Sequence, residues 1–134
     1  MKLLTKQLRD KLLANGREQA KVKGTKAERD FWPVVKFFYP AGAATWLVTE
    51  LDPEDPDIAV GLCDLGHGFP ELGSLRISEL QSFKGSFGLG IERDLHFKAK
   101  APLSRYTAAA REAGAIVESV TPSSASSPAT EEEP

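Results

Sequence analysis

The stretch from Phe31 to Leu80 constrains this chain most, because apolar runs of period two follow one another there between strong turn signals. In Phe31 to Tyr39, side chains Phe31, Val35, Phe37 and Tyr39 share one face, and Trp32, Val34, Lys36 and Phe38 share the other. That alternation predicts a strand. Residues 40–44, Pro-Ala-Gly-Ala-Ala, make a short connection, after which Thr45 to Leu51 places Trp46, Val48 and Glu50 opposite Leu47, Thr49 and Leu51. A hairpin follows from this pattern. Asp52 to Asp57 contains Pro53 and Pro56, and a proline lacks the amide that a central ladder needs, so an acidic turn is expected. Ile58 to Cys63 alternates again as a third strand, and Leu75 with Ile77 supplies a short fourth.

The flanks read as helices. Thr5 caps a first helix with Leu8, Leu12 and Leu13 on one face, and Asn15-Gly16 is its expected stop. Arg17 to Asp30 has Val22 as its one sizeable apolar residue and reads as an exposed connection with partial helix. Around His67, Phe69 and Glu71 the glycines 66, 68 and 73 and Pro70 mark a shaped loop. Ser78 and Gln81 have capping-box spacing for a short middle helix. Ile91 to Phe97 is an expected ribbon, with Arg93 among apolar neighbours. Pro102 to Ala113, rich in alanine and followed by Gly114, is a C-terminal helix. The fold class is therefore α+β: a mostly antiparallel sheet of four or five strands with an N-terminal, a short middle and a C-terminal helix. Residues 1–116 make one globular domain, and residues 117–134, rich in serine, proline and glutamate, are expected to be a disordered tail.

Composition narrows the function. Cys63 is the single cysteine, which excludes an internal disulfide and fits a reducing cytoplasm. No apolar run approaches the roughly 20 residues of a membrane span, and none at the N-terminus has the length of a signal peptide. The net charge of -2 hides strong segregation: residues 1–49 carry +6, residues 50–79 carry -7, residues 80–116 carry +3 and residues 117–134 carry -4. Opposed patches of this kind favour docking to a partner surface over non-specific nucleic-acid binding.

Motifs for chemistry fail on their spacing. Asp52, Glu54, Asp55 and Asp57 lack the sixth-position glycine and late bidentate glutamate of a calcium loop. Cys63, His67 and His96 lack the paired ligand spacing of zinc. The glycines from Gly85 to Gly90 lack the residues that complete a dinucleotide or phosphate loop. No cofactor is expected. The leading candidates for a protein-docking surface are Trp46, Glu50, His67 and Glu71. An alternative is nucleic-acid binding through Lys21, Lys23, Lys26 and Lys36, with aromatic rings beside a basic groove. A third reading, a hydrolase with a carboxylate pair, needs Glu50, Glu71 and Glu92 to converge.

Lys36-Phe37-Phe38, Thr45-Trp46, Thr49-Glu50, Asp52-Pro53, Gly61, Glu71-Leu72-Gly73, Glu79-Leu80 and Ile91-Glu92-Arg93-Asp94, in that order after the Leu4-Thr5 start, carry a family likeness. Over Met1 to Leu103 the chain resembles a bacterial domain-of-unknown-function family of small single-domain proteins, common on plasmids and other mobile elements. The family brings no catalytic residues to transfer. The resemblance implies an accessory role in mobile-element biology, such as interference with host defence or control of transfer, exerted on an unidentified protein partner.

Overall fold

A computed structural model describes residues 1–122. Thr5 turns the extended start into helix α1 (Lys6–Val22), its Oγ1 accepting from the Leu8 amide at 3.1 Å. The expected stop at Asn15-Gly16 does not end the helix, which continues to Val22 and takes in the first part of the expected connection. Both residues are buried instead. A Cβ on Gly16 would lie 1.8 Å from the Leu51 carbonyl oxygen, so glycine here serves close approach of helix to sheet. Tertiary contact has overridden a local stop signal.

Strands β1 (Val35–Phe38), β2 (Thr45–Asp52), β3 (Asp55–Asp64), β4 (Glu71–Arg76) and β5 (Glu92–Arg93) form one antiparallel sheet in the order β4-β3-β2-β1-β5. The β1–β2 hairpin forms as the alternation predicts, with Phe37 opposite Trp46. The acidic turn is tighter than expected: Asp52 Oδ1 accepts from the Glu54 amide at 2.8 Å and β3 has begun by Asp55. Pro56 is accommodated because the β2 register jumps from Asp55 to Ala59, so no β2 residue pairs with it. β4 starts at Glu71, earlier than expected, and Ile77 leaves the sheet to begin helix α2 (Ile77–Ser82). The capping box does not form. Ser78 donates its amide and hydroxyl to Asp57 at 2.9 and 2.6 Å, while Gln81 bonds Leu3 N and Met1 O at the chain start.

The expected ribbon from Ile91 to Phe97 shrinks to the two residues of β5, because the segment crosses the sheet edge. Ile91 is buried on the α1 side and Phe97 packs on the opposite side. Arg93 is no misfit among apolar neighbours: its guanidinium donates to the Lys2 and Leu3 carbonyls at 2.9 and 2.7 Å. Helix α3 (Leu103–Ala113) ends, as its composition predicts, on a left-handed Gly114 whose amide donates to Ala110 O.

Among the described residues, three α-helices thus accompany a five-stranded sheet with a core on each face. Leu12, Val35, Phe37, Val48, Leu51 and Leu75 form the first, beneath α1, and Leu47, Leu62, Leu103, Tyr106 and Ala110 form the second, beneath α3. The packed body extends past residue 116: Val120 is 9% exposed in the second core and Glu118 ion-pairs with Lys36. The rest of the expected tail, residues 123–134, lies outside the described residues.

Candidate functional site

Two concavities flank β2 at its opposite ends, and a break in strand parity separates them. Val48 pairs with Gly61 and Glu50 with Val60, so Thr49 is the extra residue of a β-bulge. Up to Val48 the even-numbered side chains face α1; past the bulge Leu51 takes that face. Glu50 is turned away from Trp46 and Val48 and lines a cleft of about 390 Å³ whose wall mixes polar side chains, Gln19, Arg29, Asp30 and Ser104 among them, with the apolar Phe31 and Leu72. Burial pushes the Glu50 carboxyl above its ordinary range, against an opposing hydrogen bond from Thr49 Oγ1 at 3.4 Å. Several of the polar groups lining the cleft are bonded to one another. Gln19 clamps Arg29 through both side-chain atoms at 2.8 Å, and Asp30 accepts from the amide and hydroxyl of Ser104. These contacts tie α1, the 23–34 segment and α3 together.

At the other end of β2, Trp46 is 6% exposed and floors an open apolar pocket of about 290 Å³. Tyr39 and Ala44 of the hairpin, Leu65 after β3, Glu79 and Leu80 of α2, and Phe83 and Ile91 complete its wall. Tyr39 organises one side: its ring meets Phe83 edge-on at 5.4 Å, and its hydroxyl accepts from the Ser86 amide at 2.9 Å. Gly85 makes this possible, since a Cβ there would lie 2.0 Å from the Tyr39 hydroxyl oxygen. The loop so pinned presents Phe87 with φ of 59° and its side chain 97% exposed. Leu65, at 62%, and Phe83, at 45%, are exposed large apolar residues of the pocket wall itself. An open pocket walled by exposed apolar side chains is the kind of surface that marks interaction sites.

Of the docking candidates named from the sequence, Trp46 lies at this pocket. His67 is exposed in the loop between β3 and β4, and Glu71 opens β4 beside a small hollow lined by Gly68, Phe69, Pro70 and Arg111. Glu50 lies at the far end of β2. The four residues are therefore not one patch. The lysines of the nucleic-acid reading divide as well. Lys21, Lys23 and Lys26 are exposed at and after the end of α1, with Lys21 3.4 Å from Glu18, whereas Lys36 stands on β1 in ion pairs with Asp94 and Glu118. The carboxylates of the hydrolase reading do not converge. Glu71 is on β4 and Glu92 on β5, the two edges of the sheet, about 19 Å apart at the usual strand spacing. The acidic turn is occupied by its own chain: Asp55 and Asp57 face Arg76 at 3.3 and 3.5 Å, and Asp57 also holds Ser78. Burial pushes the Cys63 thiol up, which disfavours the thiolate that nucleophilic or metal-binding chemistry needs.

Sequence reasoning named Trp46 and missed its pocket. The available signal was Phe83, Phe87 and Leu89 set among Gly85, Gly88 and Gly90, bulky apolar residues in a segment too glycine-rich to bury them in regular structure.

No curated protein and no solved structure matches the chain. The model of a family described as "Protein of unknown function (DUF2958)" matches residues 3–117, a span that takes in the whole sheet, all three helices and both concavities. By that match the chain belongs to the DUF2958 family.

Proposed function

We propose that this protein works without catalysis, as a protein-interaction module whose docking face is the apolar pocket over Trp46. One observation carries the reading: the pocket is open, its accessible lining is almost wholly apolar, and it includes the exposed Leu65 and Phe83, with the exposed Phe87 four residues past Phe83 in the same loop. Such a site suits an aliphatic or aromatic side chain of another polypeptide, the kind of anchor that dominates interface energetics. In the cell it serves as a cytoplasmic accessory protein of a bacterial mobile element, acting on host defence or on transfer, as the family resemblance implies.

The test is site-directed photo-crosslinking in the native host. A photoreactive phenylalanine analogue at Leu65, on the rim, is expected to capture a polypeptide, and the same group at Gln7, on the exposed side of α1, is not. Ala44→Trp, which fills the pocket from the hairpin, is expected to abolish capture at Leu65. Equal capture from both positions, or capture indifferent to Ala44→Trp, would sink the reading.

A further inference from the structure

We propose that the side chain seated over Trp46 is Phe87 of a second copy of this chain, so that the protein pairs about a two-fold axis through its 83–91 loop; this deepens the docking reading and rests on it. Phe87 is the observation that demands an account. A bulky residue at φ of 59° is strained, and among the described residues no packing rewards the strain, because Phe87 is 97% exposed. The loop nevertheless fixes it there: Gly88 N donates to Gly85 O and Leu89 N to Ser86 O, both at 3.1 Å, while Ser86 N is held by Tyr39. An aromatic residue on a backbone already fixed needs little further ordering to serve as an interface anchor.

The hole for this anchor lies on the same segment. Phe83 and Ile91 line the Trp46 pocket, and Phe87 is midway between them in sequence. A knob and a hole side by side are self-complementary under two-fold rotation, since each copy then gives its knob to the other and the contact is made twice. The size fits too. A dry cavity of roughly 150 Å³ takes a benzene ring, and this pocket offers about 290 Å³.

Charge on the rim points to the same occupant. Glu79 stands on the pocket wall and Lys84 follows Phe83 in the loop, both exposed. Reciprocal insertion of Phe87 carries its loop, Lys84 included, to the partner's pocket, whose wall bears Glu79, so the two opposite charges are brought to the same rim twice per dimer. A net charge of only -2 per chain leaves little long-range repulsion to oppose pairing.

Sedimentation equilibrium of the full chain over roughly 1 to 200 µM tests this, because self-association must follow mass action. The wild type is expected to shift from monomer to dimer across that range. Phe87→Gly relieves the backbone strain, so it is expected to keep or raise Tm while weakening association by at least about 30-fold, as for loss of an interface anchor. Lys84→Glu and Glu79→Lys are each expected to weaken the dimer, and the double variant to restore it. A wild type monomeric throughout, or a dimer indifferent to Phe87→Gly, overturns the proposal. So does failure of the double variant to recover. If the chain is monomeric while the Leu65 crosslinker still captures a foreign protein, the second copy falls and the docking reading stands; a monomer with no capture at Leu65 removes both. Binding of the monomer to anionic lipid vesicles through Phe87 also overturns it, in favour of a membrane surface.

Discussion

Asn15, in the middle of α1, donates its side-chain amide to the main-chain carbonyl of Thr49 over 2.9 Å, both residues buried. Thr49 is the extra residue of the β2 bulge. An interrupted ladder leaves backbone groups without strand partners, and a buried carbonyl in that position must find a donor elsewhere. Asn15 supplies it, and the neighbouring Gly16 lets the helix come close enough to do so.

Replacement of Asn15 by leucine leaves the Thr49 carbonyl buried without its donor and is expected to cost about 1–3 kcal/mol in urea denaturation. Gly16→Ala is the sharper case. In an exposed helix interior that change stabilises by about 1 kcal/mol. Here the added methyl meets the Leu51 carbonyl, and we expect a net loss of about 1–3 kcal/mol. A gain in stability would show that helix and sheet are not in contact there.

Glu50 predicts a pH dependence of definite sign. Its folded-state pKa is raised, chiefly by burial, above the value it has when unfolded. Below the ordinary glutamate range both states hold the proton and no penalty arises. As pH rises from that range through the raised value, the unfolded state ionises first, so stability falls. Glu50→Gln removes the titration. The Tm of this variant minus that of the wild type is therefore expected to grow from about pH 4 to pH 7, and a difference that shrinks over that interval would contradict the assignment.

The end of the packed body can be placed by truncation. A chain ending at Pro122 keeps Val120 in the second core and the Glu118–Lys36 ion pair, and its urea midpoint is expected to match that of the full chain. A chain ending at Val117 loses both, and burial of one valine accounts for about 1.5–3 kcal/mol. Equal midpoints for the two truncations would mean that Val120 contributes nothing.

Nucleic-acid binding should be weak. Lys36 is committed to Asp94 and Glu118, which leaves Lys21, Lys23 and Lys26 at the exposed end of α1. By fluorescence anisotropy at physiological salt, a dissociation constant no tighter than roughly 10⁻⁴ to 10⁻⁶ M is expected, falling steeply in affinity with added salt. Nanomolar binding lost on changing those three lysines to glutamine would promote the alternative reading.

Period-two alternation carried most of the sheet: the β1–β2 hairpin, the third strand and the burial of Val35 and Phe37 were legible because each depends on neighbours in sequence. The C-terminal helix and its Gly114 stop were legible for the same reason. What could not be read was decided by distant partners. Asn15-Gly16 has the composition of a stop and became a helix–sheet contact. Ser78 and Gln81 have the spacing of a capping box, yet each found a partner in another element. The bulge at Thr49 inverted the face of Glu50, so strand parity grouped it with Trp46 when the fold separates them. The pocket itself needed the hairpin, α2 and the 83–91 loop to meet, which no local pattern encodes.

The starts of two helices are written elsewhere in the chain. Neither α2 nor α3 has a side-chain cap from its own N-cap residue; Asp57 on β3 holds Ser78, and Asp30, with the Phe31 carbonyl, holds Ser104 and Leu103. A six-residue and an eleven-residue helix are marginal alone, since nucleation is unfavourable and short helices depend on their surroundings. Their stability is thereby tied to the strand and the entry segment that hold their first turns, rather than to their own sequences. An isolated peptide spanning residues 70–122 would carry both helical sequences and neither cap, and would stay largely unstructured.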